Sequence, residues 1–166
     1  MERTDVRVRA RRRDDLAACV DVLALVHAAD GYPVNWPADP AGWLTVRGMT
    51  GAWVARRDGR IVGHVLLTAP AAGDVAPSLV APDVSTVGRL FVSPAARGRR
   101  VGAALLARAA REAVLHGTRA VLDVVTTDTA AIALYERLGW EFLGPGRQEW
   151  GPGEWVDVRC YAAPRA

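Results

Sequence analysis

Helix-like and strand-like segments alternate along this chain, and their order limits the folds that it can adopt. The spacing of the apolar residues predicts a strand, two helices, three strands, a helix, a strand, a helix and two strands. Strands separated by a helix pair in parallel, while strands joined by a tight turn pair antiparallel. The order therefore predicts an α/β (α+β) fold: one domain over residues 1–166, with a mixed sheet of about seven strands and about four flanking helices.

The strongest local signal is a hairpin centred on Asp58-Gly59. This pair supplies the positive φ angles of a type I′ turn, and it lies between the strand-like segments 52–57 and 60–69. Two other segments are rich in glycine, proline and small residues and lack periodicity. We therefore expect irregular loops over 70–82 and 144–154, and a short second helix over 40–46.

Composition excludes several classes of function. All 21 basic residues are arginine, which is typical of a GC-rich genome, and the net charge of +3 is too small to indicate a nucleic-acid partner. No apolar stretch is long enough to cross a membrane, and the N-terminus does not resemble a signal peptide, so we expect a cytoplasmic protein. Cys19 and Cys160 have no partners at metal-ligand spacing, so we expect no metal.

The most informative segment joins a strand to a helix over residues 92–103, with the sequence Val-Ser-Pro-Ala-Ala-Arg-Gly-Arg-Arg-Val-Gly-Ala. The first turn of a helix has free backbone N–H groups and the positive end of the helix dipole, and glycines let a phosphate approach the backbone closely. Arginines add fixed positive charge. The alternative is a simple turn with solvated arginines. The segment is neither a Walker loop nor a dinucleotide-binding Gly-x-Gly-x-x-Gly motif.

Taken with a second motif, this segment resembles the pyrophosphate loop of the GNAT superfamily of N-acetyltransferases. The family pattern Arg/Gln-x-x-Gly-x-Gly/Ala follows a strand that ends Val-x-Pro, and Arg97, Val101, Gly102 and Ala103 match it. Position 100 departs from the pattern, because Arg100 stands where the family usually has glycine. The second motif runs from Asp128 to Trp140 and is similar to Asn-x-x-Ala-Ile-x-Leu-Tyr-Glu-x-Leu-Gly-Phe.

The resemblance implies that acetyl-CoA binds in a V-shaped gap where strand 84–93 splays from strand 121–126. The residues implied to contact this co-substrate are Leu90, Phe91, Val92, Arg97, Gly98, Arg99, Arg100, Val101, Gly102, Ala103, Asp128 and Tyr135. Two of these residues, Asp128 and Arg100, depart from the family pattern. Asp128 stands where asparagine is more usual, and its alternative role is that of an N-cap. Arg100 is compatible with the loop if it adopts ordinary helical angles.

Tyr135 is the catalytic residue that the resemblance implies, as a proton donor to the departing thiolate. Its helical spacing alone favours a core position. The family often places a base near position 86, where this chain has Thr86, and we find no carboxylate nearby that replaces it. Asp83, His64 and a water relay to a backbone carbonyl remain open, so we assign no base.

We expect the acceptor to be a primary amine of a small molecule, bordered by residues 32–43 and 144–154. The tryptophans of these segments and of the last strand suggest an aromatic wall, although we expect at least half of them to be ordinary hydrophobic plugs: Trp36, Trp43, Trp150 and Trp155. Three acidic residues there either attract an ammonium group or belong to a solvated hairpin: Glu149, Glu154 and Asp157. Alternatives are a protein N-terminal or lysine acetyltransferase, a non-catalytic acyl-CoA sensor and a nucleotide-binding module. A homodimer through residues 156–161 is left open.

Overall fold

The computed structural model describes residues 5–71, 73–80 and 82–165. The strands are β1 (Arg7–Ala10), β2 (Met49–Arg57), β3 (Arg60–Thr68), β4 (Val84–Val92), β5 (Arg119–Val125), β6 (Glu141–Gly151) and β7 (Glu154–Ala162). The helices are α1 (Leu16–Asp30), α2 (Pro40–Trp43), α3 (Val75–Ser78), α4 (Val101–Leu115) and α5 (Thr129–Arg137). No described helix is long and apolar enough to cross a membrane.

The strands form one seven-stranded sheet in the order β1-β2-β3-β4-β5-β7-β6. β4 and β5, which α4 separates in sequence, pair in parallel with Thr86 opposite Val121. The β1–β2, β2–β3, β5–β7 and β6–β7 pairs are antiparallel. The predicted mixed sheet is therefore confirmed, with parallel pairing where a helix intervenes.

The chain divides into two compact units. The first unit contains Met1–Thr68 and Gly88–Ala109, and the second contains Ala69–Val87 and Ala110–Ala166. The single domain over residues 1–166 stays a prediction.

A core beneath α1 holds the first unit together. Its buried residues come from α1, the end of α2, β2 and β4: Cys19, Val22, Leu23, Val26, Leu44, Val54 and Phe91. The N-terminal end of α1 is fixed by Asp15, whose carboxylate accepts a hydrogen bond from the Arg12 amide at 2.6 Å and pairs with Arg9 at 2.7 Å. The helix ends at Gly31, which adopts the left-handed conformation.

The second unit has its own core, formed between α3 and the sheet. Its buried residues are Ala76, Val84, Val121, Val158, Cys160 and Ala162. α5 begins at an N-cap, because the Asp128 carboxylate accepts a hydrogen bond from the Ala131 amide at 3.1 Å. The predicted capping role of Asp128 is confirmed.

Two predicted loops are wrong. Residues 75–78 form α3, a single helical turn inside the segment 70–82. Residues 144–151 continue β6, which pairs with β7 along nearly its whole length and turns at residues 152–153. Glycines and a proline are tolerated in β6 because it is an edge strand of the sheet and carries register shifts. The second helix ends at Trp43 and is shorter than expected.

The close packing of α4 on β3 gives a stability prediction. A Cβ atom added to Gly63 would lie 2.9 Å from Leu105 Cδ1 and 3.0 Å from Val101 Cγ1. We expect Gly63→Ala to lower the free energy of unfolding by about 1–3 kcal/mol, because these side chains must shift. Gly88→Ala is the matched control, since its nearest atom lies 3.6 Å away. Chemical denaturation of both variants tests this expectation, and equal stability of the two would contradict the packing.

Candidate functional site

The loop between β4 and α4 exposes the groups that an anion needs. The amide of Ser93 donates to Val62 O at 2.8 Å and anchors the loop to β3. The first helical hydrogen bond of α4 runs from Ala104 N to Arg100 O at 3.0 Å, so the amides of residues 101–103 belong to the open first turn. This turn contains no acidic residue. A Cβ added at Gly98 would meet nothing within 4 Å, so the backbone there is open to a ligand.

Arg97 is not simply solvated. Its guanidinium forms a bidentate ion pair with the Asp30 carboxylate, and the Nη1–Oδ1 distance is 3.2 Å. This pair holds the pKa of Asp30 below its ordinary value. Both side chains are about two-fifths exposed, at 44% and 42%. An exposed pair contributes at most about 1 kcal/mol, so a phosphate group can compete for Arg97. The exposed Arg99 and Arg100 form no ion pair with the described residues.

Arg100 does not adopt the helical angles under which we expected it to be compatible with the loop. Its φ is +63°, in the left-handed region that favours glycine. The backbone at position 100 therefore has the conformation that a glycine favours, and the Cβ atom of Arg100 makes this conformation less favourable. The departure from the family pattern changes the side chain and leaves the local backbone conformation available.

Among the residues predicted to contact the co-substrate, those of strand β4 have packed side chains, so mainly their backbone groups are available to a ligand. Phe91 is buried in the core beneath α1 and stacks on His64, with ring centroids 5.1 Å apart. Val101 is also buried, whereas Leu90 and Val92 are half-buried. Side chains packed in this way fix the position of the neighbouring amides and carbonyls.

In the second unit, Tyr135 lies on the buried face of α5. Its ring is 6.1 Å from that of Trp140 and 5.7 Å from that of Tyr161. The core position that spacing favoured is thus observed, while the catalytic role of Tyr135 stays a prediction. The gap between strands 84–93 and 121–126 also stays a prediction, since its residues belong to both units.

His64 is a packed strand histidine. Its Nδ1 lies 2.9 Å from Arg89 O, and its Nε2 lies 2.9 Å from Arg11 Nη1. Because arginine can only donate, Nε2 accepts and Nδ1 carries the proton. The side chain is fully buried, and this burial lowers the pKa of His64 to about 4. The lone pair that a base would use is therefore occupied by Arg11.

Sequence reasoning missed a carboxylate on β5. Asp123 is half-buried and forms no hydrogen bond or ion pair with any described residue. Burial raises its pKa, and the nearby Asp74 carboxylate adds to the shift. Val121 lies opposite Thr86, and Asp123 follows it by two residues on the same face of the sheet. The signal in the sequence was a single acidic residue within an otherwise apolar strand.

The first of the two predicted acceptor segments contains an aromatic pair with an arginine. Trp43 and Tyr32 meet edge to face, with ring centroids 6.0 Å apart. The Arg89 guanidinium lies 3.8 Å from the Trp43 ring centre, and Arg89 Nε donates to Trp43 O at 3.2 Å. Trp43 is packed against the core, whereas Trp36, Trp150 and Trp155 are 40–52% exposed. The expectation that at least half of these tryptophans are plugs is therefore wrong.

The second predicted acceptor segment is a solvated hairpin. Glu149 accepts a hydrogen bond from the Gly153 amide at 3.2 Å, within the turn. Asp157 pairs with Arg147 at 3.5 Å, and both side chains are exposed. No group of three or more potential ligands within the described ranges is arranged to hold a metal ion.

The burial of His64 predicts a pH dependence of stability. The unfolded imidazole, with a pKa near 6.5, binds a proton that the folded imidazole rejects until about pH 4, so stability is complete above about pH 6.5 and falls below it. We expect a loss of about 3 kcal/mol between pH 7 and pH 4 that His64→Gln removes. Chemical denaturation across this pH range tests it. His116→Gln, at an exposed position, is the control, and an unchanged pH slope in His64→Gln would contradict the assignment.

Comparison with known proteins agrees with this geometry. The model of the acetyltransferase (GNAT) family matches residues 22–140. An uncharacterized N-acetyltransferase of Methanocaldococcus jannaschii is 33% identical over 100 residues, which are 60% of this chain and 42% of that protein. Thus the match spans less than half of that relative.

Solved structures share the fold. A ribosomal-protein-alanine N-acetyltransferase from Brucella melitensis has a TM-score of 0.69 at 23% identity, covering 94% of this chain and 98% of that one. Arabidopsis thaliana NAA60, solved in complex with acetyl-CoA, has a TM-score of 0.72 at 18% identity, covering 95% and 98%. The fold class and the family resemblance are both confirmed, and the chain belongs to the acetyltransferase (GNAT) family.

Proposed function

We propose that this protein transfers the acetyl group of acetyl-CoA to a primary amine of a small molecule by direct attack in a ternary complex. The observation that carries the proposal is the open first turn of α4, which presents unpaired amides beside exposed arginines and contains no acidic residue. Such a turn favours a pyrophosphate. Family membership supports the same activity.

The first unit supplies the binding groups in this proposal. Arg97 and the backbone of residues 98–103 hold the pyrophosphate, and the backbone of residues 90–92 holds the pantetheine arm. A phosphate displaces the Asp30 carboxylate from Arg97 in this proposal, because the exposed ion pair contributes at most about 1 kcal/mol.

Two side chains carry the proton transfers in this proposal, Asp123 and Tyr135. Acetyl-CoA provides an acetyl thioester, and reaction forms a carbon–nitrogen bond while the carbon–sulfur bond breaks. Asp123 accepts the proton that the attacking amine loses, because its raised pKa makes it a stronger base than an ordinary carboxylate. The Tyr135 hydroxyl donates a proton to the departing thiolate, so charge and protons balance in the transfer.

A protein N-terminus is the alternative acceptor. Similar structures include an alanine N-acetyltransferase that acts on a ribosomal protein. The small-molecule acceptor and the N-terminal acceptor differ in whether a peptide chain follows the amine. A short peptide beside free amines in one acetylation assay separates them.

Isothermal titration of acetyl-CoA tests the binding half of the proposal. We expect wild type to bind with a dissociation constant in the micromolar class, and Gly102→Trp to lose this binding because the indole blocks the first turn of α4. Ala107→Trp is the matched control, since it adds the same side chain to an exposed position of the same helix. Equal binding by wild type and Gly102→Trp would exclude this turn as the site. Absence of binding to wild type would exclude the transferase.

Kinetics test the catalytic half. We expect Asp123→Asn and Tyr135→Phe each to lower kcat by about 100-fold or more while the affinity for acetyl-CoA stays within about twofold, because each removes one proton transfer. Asp123→Asn should also change the acidic limb of the kcat/KM profile, since only the ionised carboxylate accepts a proton. Asp21→Asn, an exposed carboxylate on α1, is the control. A variant that keeps full kcat would remove that residue from the mechanism.

A further inference from the structure

Arg89 is a half-buried cation that forms no ion pair with any residue that the structure describes. Burial lowers its pKa, and the one ionisable neighbour that acts against this shift is the Tyr32 phenol. Its Nε donates to Trp43 O, whereas Nη1 and Nη2 form no hydrogen bond or ion pair with the residues in the described ranges. Partly buried charges are usually paired, because removing them from water is costly.

The surroundings of Arg89 hold it in place. Its φ of +51°, within strand β4, turns the side chain out of the regular pleat. The Trp43 ring lies against the guanidinium at 3.8 Å, and the Arg89 carbonyl accepts from His64 Nδ1 at 2.9 Å. A stacked guanidinium with both Nη groups available presents the planar fork that binds a carboxylate with two parallel hydrogen bonds.

The neighbouring arginine does not have this property. Arg11 donates to Leu44 O at 2.7 Å, and it lies 2.9 Å from His64 Nε2 and 3.8 Å from Met49 Sδ. Asp15 also acts on it electrostatically. The Nη donors of Arg11 are therefore used by the protein, whereas Nη1 and Nη2 of Arg89 have no partner among the described residues.

We propose that the acceptor amine carries a carboxylate, which Arg89 binds through Nη1 and Nη2 beside the ring of Trp43. This inference rests on the proposed acetyl transfer and narrows its substrate class to amino acids and related amino carboxylates. The local charge beside Trp43 and Tyr32 is positive, which suits an anionic group on the acceptor. In a protein N-terminus the α-carboxyl group is an amide, so the proposal also favours a small molecule.

The experiment compares matched acceptors. The assay measures acetylation of three amino acids, each as the free acid and as the carboxamide: alanine, methionine and phenylalanine. Three further acceptors are phenethylamine, O-phosphoethanolamine and a short peptide with a free N-terminus. We expect wild type to prefer the carboxylate member of a pair by about tenfold or more in kcat/KM, because charge-assisted bidentate bonds are lost with the amide. The peptide, O-phosphoethanolamine and phenethylamine should be poorer acceptors than the free amino acids.

Variants of Arg89 assign the preference to this residue. We expect Arg89→Gln to raise KM for the amino acids with little change in kcat, and to reduce the preference to near unity. Arg89→Lys retains the charge without the planar fork and should restore part of the preference. Arg60→Gln, an exposed arginine of β3, is the control, and the affinity for acetyl-CoA reports that each variant is folded.

Each outcome decides the proposal. Equal turnover of acids and carboxamides, a preference that survives in Arg89→Gln, or a higher rate with the phosphate or the peptide would overturn it. Binding of acetyl-CoA without acetylation of any of the three free amino acids would also overturn the proposal. These results leave the transferase itself standing, whereas failure to bind acetyl-CoA at all removes both proposals.

Discussion

The neutral, fully buried imidazole of His64 is the interaction on which the first unit depends. It receives a hydrogen bond from Arg11 on one nitrogen and donates to the Arg89 carbonyl from the other. A charged imidazole cannot accept from Arg11, so only the neutral form connects the end of β1 to β4. Burial, which lowers the pKa of His64, therefore also maintains the backbone position of Arg89 and of Phe91 stacked on the ring.

The two units carry different chemical groups. The first contains exposed arginines, an open helix terminus and Arg89, which forms no ion pair with a described residue, so its ligand groups are positive and suited to anions. The second contains Asp123 and the packed Tyr135, to which we assign the two proton transfers of the proposed reaction. Each group is held by the core of its own unit: the cluster beneath α1 in the first, and the cluster between α3 and the sheet in the second.

Local patterns in the sequence predicted most of the helices and strands. The Asp58-Gly59 pair adopts positive φ at both residues and joins β2 to β3 as a hairpin. Gly31 and Asp128 end and begin helices as their residue types indicate. The second part of edge strand β6, residues 144–151, was missed because its glycines and proline resemble a loop, and only pairing with β7 makes them a strand. The helical turn α3 was missed because one turn leaves no periodicity.

The sequence by itself determined the family and the order of the elements apart from α3, and it predicted an anion site in the β4–α4 loop, since these follow from short-range spacing and residue type. The tertiary structure decided which polar groups are balanced. From the sequence, His64, Asp83 and a water relay were all left open as the base, yet packing gave the imidazole lone pair to Arg11. Among the described residues, the same packing left Asp123 without a cation and Arg89 without a carboxylate. Burial and hydrogen-bond partners come from residues distant in sequence, so no local pattern reveals them.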